Sequence, residues 1–587
     1  NMTSYVFDIE ANGLDPTEVF CIVALDTVTK KFYEFGPDQL DQGIKLLEES
    51  KELIGHNILG YDIPVIKKLL GSDLDDGSRF IVDTLVLSRL FNPTREGGHG
   101  LEGWGYRLRH KKIEFEDFES FSPEMMTYCR QDVSLNHKVY QHLARVEAAG
   151  FSKDAVGLEH SVYRVMQSQR DRGFLLDEKH AMSLLAELNE SLSQAEKLVH
   201  KTFRPRETEL TLVPLLTKAG KVSKMAQLKG ETKKVRLSDE EYEKAGKNPN
   251  EHLIRRDSEP FNLGSRKQIG EYLVEFGWKP TKFTPTGQPI VDEKVLSKIK
   301  DIPEASVIAK YLMLQKRIAQ ITSWFKVVED DGRVRGFVNT NGAVTGRMTH
   351  SHPNMAQVPS TGSPYGKECR QCWTVMDGYK LVGIDASGLE LRMLAHYMND
   401  EGFTHELLNG DIHTANQMAA GLESRNQAKT FIYALLYGAG DAKLGTVVGG
   451  NAEDGGRLRQ SFFDNLPAFK VLKDRVSTAS KRGYLKGLDG RKLFVRSEHA
   501  ALNTLLQGAG AIVMKKALVL LNDKLSGMDA HFVANVHDEW QIEAHESVSQ
   551  RVGELGVEAI EQAGLDFNLR CGLTGEYQIG DSWSETH

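Results

Sequence analysis

The sequence predicts a multidomain protein of mixed α/β and α+β architecture. A chain of 587 residues is long enough for roughly three to five domains. At residues 379–398 a short apolar strand ends at Asp385, and a turn leads from it into an amphipathic helix. At residues 531–543 two predicted strands meet at Asp538 and Glu539. Because turns favour Gly, Asn and Pro, acids at this hairpin tip indicate a metal site.

The composition is typical of a soluble globular protein, with 40% hydrophobic and 26% charged residues. No apolar run approaches the length of about 18 residues that a membrane span needs, so we expect no membrane contact. Because a predicted strand begins at Tyr5, we expect no signal peptide. Five cysteines favour a reducing compartment, and Cys369 and Cys372 are expected to be packing residues. The net charge of −8 does not exclude nucleic-acid binding, because local charge decides it.

Residues 1–146 contain acids in a pattern that indicates a metal site. Asp8 and Glu10 are two apart on a predicted strand, so both side chains point to the same face. Asp62 begins a predicted helix, and Asp132 lies four residues after Tyr128 on one helical face. Unrelated surface acids are the alternative interpretation. The paired acids on a strand and the helical Tyr-x-x-x-Asp favour shared cations.

This set resembles the Tyr-bearing branch of the DEDD 3′–5′ exonucleases, which have an RNase H-like α/β fold. The resemblance implies that two divalent ions are held by Asp8, Glu10, Asp62 and Asp132. One ion would activate a water and the other would stabilise the leaving 3′ oxygen. Tyr128 would position the attacking water.

Residues 147–334 are predicted to be mostly helical. Amphipathic patterns predict helices at 158–173, 177–203 and 302–324. Between them, residues 204–260 lose helical periodicity and include seven basic residues and one acid from Lys218 to Arg236. This insertion is either a solvated loop or an electrostatic contact with a DNA backbone.

Residues 424–440 predict a helix with one chemically distinct face. Ser424 and Gln427 have capping-box spacing at its start. Arg425, Lys429 and Tyr433 follow at intervals of four, so they form one stripe. Two cations and a ring suit a triphosphate whose sugar lies against the ring. A solvated basic face is the alternative, but the apolar residues of the same helix indicate that much of it is buried.

The stretches at 379–398, 424–440 and 531–543 resemble motifs A, B and C of family A (Pol I-like) DNA polymerases. The residues of the first stretch resemble the form found in the polymerases of short-tailed phages of the T-seven type. The resemblance implies a right-hand polymerase that follows the exonuclease domain. The implied domains are exonuclease 1–146, thumb 147–334, palm 335–398 and 504–587, and fingers 399–503.

The resemblance also implies two Mg²⁺ ions at the polymerase site, with Mn²⁺ as an alternative at both sites. Asp385, Asp538 and the Ala386 carbonyl would hold them, and Glu539 would be a supporting acid. One ion would lower the pKa of the primer 3′-hydroxyl, and the other would bridge the triphosphate and stabilise pyrophosphate.

The remaining implied roles concern substrate contacts. The nucleotide phosphates would contact His413, Arg425 and Lys429, and Lys429 would also protonate pyrophosphate. Tyr433 would line the sugar 3′ position, Tyr437 would stack near the templating base, and Glu390 would exclude a ribose 2′-hydroxyl. The primer–template would contact Arg347 from the minor-groove side, Arg491 and Gln507, and the primer terminus would contact His537.

The implied partners are primer–template DNA, dNTPs and a replicative helicase–primase. Phage polymerases of this type bind host thioredoxin through a thumb insertion; the 204–260 insertion is shorter, so thioredoxin binding stays open. We expect a monomer in the cytoplasm of a host bacterium. The rival hypotheses are an RNase D-like nuclease with a nucleic-acid clamp, a non-catalytic replisome scaffold and a single-subunit RNA polymerase. Asp385, Asp538 and Lys429 argue against the nuclease. Two complete acidic sites argue against the scaffold, and Glu390 and the proofreading domain argue against the RNA polymerase.

Overall fold

The computed structural model describes residues 2–587, which form two compact units. One unit contains the chain up to Glu178 together with Val327–His587, and the other is Lys179–Lys326. The second unit therefore lies inside the predicted thumb, whereas residues 147–178 and 327–334 belong to the first unit. The four predicted boundaries between domain segments stay predictions.

The N-terminal part of the first unit is built on a five-stranded mixed sheet. Its strands are β1 (Ser4–Ala11), β2 (Val19–Asp26), β3 (Phe32–Phe35), β4 (Glu52–Gly55) and β5 (Phe80–Asp83). They lie in the order β3–β2–β1–β4–β5, with β1 antiparallel to β2 and parallel to β4. Its helices are α1 (Leu40–Glu48), α2 (Ile63–Leu70), α3 (Thr84–Phe91), α4 (Leu101–Arg107) and α5 (Pro123–His142).

Both faces of β1 are covered, which explains its nearly continuous apolar sequence. Tyr5, Phe7 and Ile9 pack with residues of α1 and α2, while Val6 packs with Met125 and other residues of α5. The acids of β1 interrupt this apolar pattern on the α5 face. Short 3₁₀ and π turns occur at Pro37–Gln39, Ile58–Asp62, Leu143–Glu147, Met355–Gln357, Thr446–Val448 and Glu498–Ala500.

Helix α6 (Lys153–Arg172) and the short strand β6 (Phe174–Leu176) follow. Ser152 caps the helix by accepting from the Ala155 N–H (3.1 Å), and Gly173 (φ 70°) ends it, as its sequence predicts. Although α6 was assigned to the thumb by resemblance, it packs inside the first unit. His160 accepts from the backbone N–H of Asp83 on β5 (2.9 Å), so α6 is tied to the N-terminal sheet.

The second unit combines helices with a small antiparallel sheet. Its elements are α7 (Glu178–Thr202), β7 (Arg206–Leu216), β8 (Val222–Leu228), β9 (Lys234–Arg236), α8 (Asp239–Lys247), β10 (Leu253–Glu259), α9 (Arg266–Glu275), α10 (Glu293–Ser297) and α11 (Pro303–Val327). The strand order is β10–β7–β8–β9.

The 204–260 insertion therefore contains a folded sheet rather than a loop, and its basic residues between Lys218 and Arg236 are exposed; a DNA contact by these residues stays a prediction. Leu212, Ala226 and Leu253 pack together on one face of the sheet, with Ala245 of α8 in the same cluster. The helical periodicity is absent because these residues form strands, of which only a few positions are buried. The basic residues between Lys218 and Arg236 lie on β8, β9 and the turns around them.

The rest of the first unit surrounds a four-stranded antiparallel sheet in the order β18–β19–β15–β20. The strands of this whole part of the first unit are β11 (Arg333–Val334), β12 (Phe337–Asn339), β13 (Thr349–Ser351), β14 (Trp373–Thr374), β15 (Tyr379–Ala386), β16 (Tyr484–Lys486), β17 (Lys492–Phe494), β18 (Ala530–Val536), β19 (Glu539–His545) and β20 (Gly575–Gly580). Its helices are α12 (Gly366–Gln371), α13 (Leu389–Met398), α14 (Glu401–Asn409), α15 (Ile412–Ala420), α16 (Arg425–Leu436), α17 (Asp441–Gly445), α18 (Ala452–Asn465), α19 (Pro467–Ser480), α20 (Ala501–Lys524), α21 (Ser549–Asp566) and α22 (Trp583–Thr586).

The segment Glu498–Lys524, which includes α20, corrects one expectation from composition. Its length and mean hydropathy of 1.5 are sufficient for a membrane span, and 78% of its apolar window is buried inside the protein. Such burial is typical of a core helix, and α20 packs in the largest hydrophobic cluster. All five cysteines are buried and form no disulfide, as expected for packing residues.

Candidate active sites

Four acids meet around β1, the central strand of the N-terminal sheet. Asp8 and Glu10 project from β1, Asp62 ends the π-helical turn before α2, and Asp132 lies on α5. The backbone N–H of Ile9 donates to Asp62 Oδ2 (3.1 Å), which ties that turn to β1. The structure thus brings together all four acids that the sequence predicted as ligands.

Burial raises the pKa values of these four carboxyl groups. Burial, with added repulsion from Asp8 and Asp132, raises the pKa of Glu10 to about 10. Burial and Asp8 raise the pKa of Asp132 to about 7, and the pKa values of Asp8 and Asp62 are also raised by burial. Buried like charges of this kind are relieved by a cation.

The carboxylate oxygens around β1 are suitable ligands for a hard divalent ion. Ligand atoms of Asp8, Glu10 and Cys129 lie within 4.8 Å of one another, and Asp132 Oδ1 is buried without a hydrogen-bond partner. Burial raises the pKa of the Cys129 thiol well above its usual value, so this sulfur stays protonated and is a poor ligand. Carboxylate oxygens suit Mg²⁺ or Mn²⁺.

We expect the stability of the divalent-free protein to fall as the pH rises from about 5 to about 9. Unfolded Glu10 loses its proton near its usual pKa of 4.5, whereas folded Glu10 holds it to about 10. Between these values the folded state binds more protons, so raising the pH favours unfolding. Urea unfolding in EDTA at several pH values measures this slope. Glu10→Gln should reduce this slope without abolishing it, since the pKa values of the other three acids are also raised, and Mg²⁺ should reduce it further; an equal slope in all three would contradict the prediction.

Tyr128 lies beside Asp132, as its position on α5 predicts. Its hydroxyl accepts a 2.6 Å hydrogen bond from the Lys112 ammonium, and Lys112 Nζ is also 3.4 Å from Asp132 Oδ2. Sequence reasoning missed Lys112 because it lies between α4 and α5 in a segment without helical or strand periodicity.

The second acidic site lies at the ends of β15 and β19, the two central strands of the four-stranded sheet. Asp385 is near the end of β15 and pairs across the sheet with Glu539, the first residue of β19. Asp538 precedes β19 at the hairpin tip, and its carbonyl accepts from the Ala386 N–H (3.2 Å). The Asp385 and Asp538 side chains are 41% and 37% exposed. Burial, opposed by His587, raises the pKa of Asp385.

Glu539 differs from the expected hairpin-tip acid. Its side chain is buried, because it belongs to β19, and it accepts from Gln541 Nε2 (2.7 Å). His587 Nδ1 lies 3.4 Å from Glu539, and its Nε2 lies 3.9 Å from Asp385. Arg370 Nη1 donates to the His587 carbonyl (2.8 Å), which holds this histidine in place. Sequence reasoning missed His587 and Arg370, which carry no local motif.

Glu390 connects the second acidic site with the end of helix α16. It lies in the first turn of α13, and burial raises its pKa. The Tyr437 hydroxyl donates to Glu390 Oε2 at 3.5 Å, while Glu390 Oε1 is buried without a partner. Glu390 also raises the pKa of Tyr433, after the larger effect of burial. The motif A and motif B residues therefore face one another.

Helix α16 begins as the spacing of its first residues predicts. Ser424 Oγ accepts from the Gln427 N–H (3.1 Å), and Phe431, Ile432 and Leu435 are buried beneath the polar stripe. Arg425 and Lys429 are exposed on that stripe.

His413 joins this stripe from α15. Burial, then Arg425 and Lys429, lowers its pKa, and its ring lies 6.5 Å from that of Tyr433. Asp411 accepts from Arg425 Nε (2.8 Å) and caps α15, a contact that the sequence did not reveal. The four residues predicted to contact the nucleotide sugar and phosphates are thus neighbours.

The predicted DNA contacts are divided by the structure. Arg347 and His537 line one pocket with Asp538, and Arg347 Nη2 is 4.0 Å from Asp538 Oδ1. His537 is exposed in a left-handed conformation (φ 54°). Gln507 is half-buried on α20.

Arg491 departs from the expectation of a DNA contact. Its side chain is 2% exposed, and its guanidinium donates to Glu159 Oε1 (2.6 Å) and Asp489 Oδ2 (2.7 Å). Lys515 Nζ donates to the same Glu159 oxygen (2.7 Å). The network joins α6, α20 and the turn before β17, so Arg491 is a core residue in this structure.

Glu159→Gln is expected to lower the free energy of unfolding by about 3–5 kcal/mol, because breaking a buried ion pair leaves uncompensated charge. Arg491 and Lys515 both depend on this carboxylate. Urea unfolding measures the loss. The control is Asp154→Asn on the exposed face of the same helix, which should change stability by less than about 1 kcal/mol. Equal stability of the two variants would contradict the structural role of the network.

Comparisons with known proteins agree with this arrangement. The family model for DNA polymerase family A matches residues 232–585. The DNA-directed DNA polymerase of Enterobacteria phage T3 is 36% identical over 708 aligned residues, which cover 99% of this chain and 100% of that protein. The DNA-directed DNA polymerase of Escherichia phage T7 is 35% identical with the same coverage.

A solved structure shares the fold. The POL domain of Pol1 from M. smegmatis, in complex with DNA primer-template and dNTP, matches with a TM-score of 0.75 and 18% identity. The match covers 99% of this chain and 96% of that one. This structural match shows the fold alone, whereas the family model and the phage relatives show the family. The chain therefore belongs to DNA polymerase family A and is of the phage T3 and T7 type.

Proposed function

We propose that this chain replicates viral DNA by template-directed synthesis at the Asp385–Asp538 site and removes 3′ nucleotides at the N-terminal acidic site. The observation that carries the synthetic function is the contact between Glu390, just after Asp385, and Tyr437 at the end of α16. It joins the acidic region to the C-terminal end of α16, the helix whose first two turns carry Arg425 and Lys429. This contact supports a single site that uses both a metal-binding pair and a triphosphate-binding face.

Two divalent ions bound at each acidic site would supply Lewis-acid activation of the attacking oxygen and neutralise charge on the phosphate oxygens. At the polymerase site, Asp385, Asp538 and the Ala386 carbonyl would hold them, with Glu539 supporting from below. Mg²⁺ is the expected ion and Mn²⁺ an alternative.

The chain's own side chains orient the incoming dNTP. Arg425, Lys429 and His413 bind the triphosphate, and Lys429 gives a proton to the departing pyrophosphate. Tyr433 lies against the sugar 3′ position, and Tyr437 stacks near the templating base. Arg347, Gln507 and His537 contact the primer–template; the buried position of Arg491 leaves it out of this set.

Glu390 selects deoxyribonucleotides in this proposal, because its half-buried side chain occupies the space of a 2′-hydroxyl. Glu390→Ala should raise the ratio of ribonucleotide to deoxyribonucleotide incorporation by roughly 10–200-fold, the range of one steric group in a pocket. Single-turnover incorporation of each nucleotide measures the ratio. The control is Glu401→Ala at the exposed start of α14. Unchanged discrimination in Glu390→Ala would exclude this role.

The N-terminal site is proposed to be a 3′–5′ proofreading exonuclease. The order of its five-stranded sheet supports an RNase H-like domain, and the convergence of Asp8, Glu10, Asp62 and Asp132 supports two-ion hydrolysis. Tyr128 would orient the attacking water beside Asp132.

Primer extension with dNTPs and Mg²⁺ tests the proposal. Extension of a matched primer, together with removal of a mismatched 3′ nucleotide, is the expected result. Degradation without any extension would favour the RNase D-like alternative.

The proposed partners are primer–template DNA, dNTPs and a helicase–primase, with the enzyme acting as a monomer in the cytoplasm of a host bacterium. Thioredoxin docking at the β7–β10 sheet is tested on a long single-stranded template, with the enzyme diluted so that each product reports one binding event. Longer products with thioredoxin would support docking, and equal products would exclude it.

A further inference from the structure

Lys112 makes two contacts with residues of the N-terminal acidic site. Its ammonium donates to the Tyr128 hydroxyl (2.6 Å) and lies 3.4 Å from Asp132 Oδ2. The same ammonium lies 4.9 Å from the centroid of the Tyr128 ring. The Lys112 side chain is only 28% exposed, so it is directed into the site rather than into solvent.

The segment that carries Lys112 also holds the ring of Tyr128. Phe115 stacks on that ring with centroids 5.3 Å apart, and Phe118 meets it edge-on at 6.0 Å. The ring plane and the hydroxyl are thus oriented by side chains from one short stretch between α4 and α5. The neighbouring Lys111 is exposed.

We propose that Lys112 is a positioning residue of the exonuclease site, where it fixes the Tyr128 hydroxyl beside Asp132 and competes with divalent cations for Asp132. The inference rests on the proposed exonuclease function. An ammonium has three donors, so it can hold a phenol and a carboxylate together. It also partly balances the charge of the buried acids. A divalent ion that binds Asp132 must displace or repel this ammonium.

Two effects of opposite sign follow. Lys112→Met should lower kcat for hydrolysis of single-stranded DNA by about 10–100-fold, because the water-positioning hydroxyl loses its anchor. KM for DNA should change less than about 3-fold, since the contacts are to protein groups. Affinity for divalent ions should instead increase by several-fold, because a competing positive charge is removed. Lys112→Arg should recover a substantial part of kcat, since it keeps the charge and donors.

Mn²⁺ binding gives a readout that is independent of activity. The titration uses full-length Asp385→Asn/Asp538→Asn protein, followed by electron paramagnetic resonance, so that the polymerase carboxylates contribute less. Addition of Lys112→Met should tighten Mn²⁺ binding, and addition of Lys111→Met should leave it unchanged. The Lys112→Met and Tyr128→Phe losses in kcat should also be less than additive, because both remove the same hydrogen bond.

The outcomes separate this inference from the function on which it rests. If wild-type protein does not shorten a primer, or Asp8→Asn shortens it equally well, the exonuclease function fails. If Asp8→Asn abolishes the activity while Lys112→Met matches wild type in kcat and Mn²⁺ affinity, the role of Lys112 is overturned. A loss of kcat with unchanged Mn²⁺ affinity, additive with Tyr128→Phe and not recovered by Lys112→Arg, would also overturn it, because it would indicate only a structural defect.

Discussion

Asp385→Asn is expected to abolish DNA synthesis, with single-turnover incorporation falling by at least about 10³-fold. Loss of several kcal/mol of metal-mediated charge stabilisation corresponds to a factor of this size. The amide keeps the shape of the side chain but loses its charge, and Asp385 lies opposite Glu539 at the end of a fully paired strand. The backbone of β15 should therefore survive the change. Rapid chemical quench with one matched dNTP measures the rate.

The matched control for this variant is Asp581→Asn, just after β20 in the same sheet region. Asp581 pairs with Lys380 at the surface, with a side chain that is 65% exposed. Exposed ion pairs contribute about 0–1 kcal/mol, so synthesis should remain close to wild type. Removal of 3′ nucleotides should persist in Asp385→Asn, which would show that the protein is folded. Wild-type incorporation by Asp385→Asn would contradict the placement of the polymerase metals.

Asp8→Asn combined with Glu10→Gln is expected to lower 3′ nucleotide removal by at least about 10³-fold, again because ligands of catalytic ions are lost. Both residues project from the central strand β1, where β2 and β4 pair with it on either side. Extension of a matched primer should continue, because the Asp385–Asp538 site uses other elements. Extension past a mismatch should become more frequent, since the mispaired nucleotide is no longer removed.

The control for the N-terminal site is Asp15→Asn in the loop between β1 and β2. The Asp15 side chain is 95% exposed and lies near Lys68 at the surface. Degradation of a labelled single strand, without dNTPs, measures nucleotide removal in all variants. Strong residual degradation in the double variant would place the hydrolytic site elsewhere.

The main acids could be predicted because each has a local pattern. Asp8 and Glu10 alternate along a strand, Tyr128 and Asp132 share a helical face, and Asp385 ends an apolar strand. These patterns depend on the period of a single element, so they can be recognised without tertiary contacts. The face of α16 was predictable for the same reason.

The insertion at residues 204–260 shows where such patterns fail. Strands β7 to β10 are largely exposed, and only a few of their residues, such as Leu212 and Leu253, are buried. A sheet forms from the pairing of segments far apart in the chain, so no single segment indicates it. Helix α6 was predicted correctly as a helix, but its packing partners were not.

Local sequence predicted the main acids of both acidic sites and the polar stripe of α16, because spacing along one element orients each side chain. Tertiary structure alone decided the pairings of Lys112 with Tyr128, His587 with Glu539, and Arg491 with Glu159. Each pair joins residues from different elements, and one contact spans 332 positions. Such contacts depend on how elements pack, and packing turned Arg491 from an expected DNA contact into part of the core.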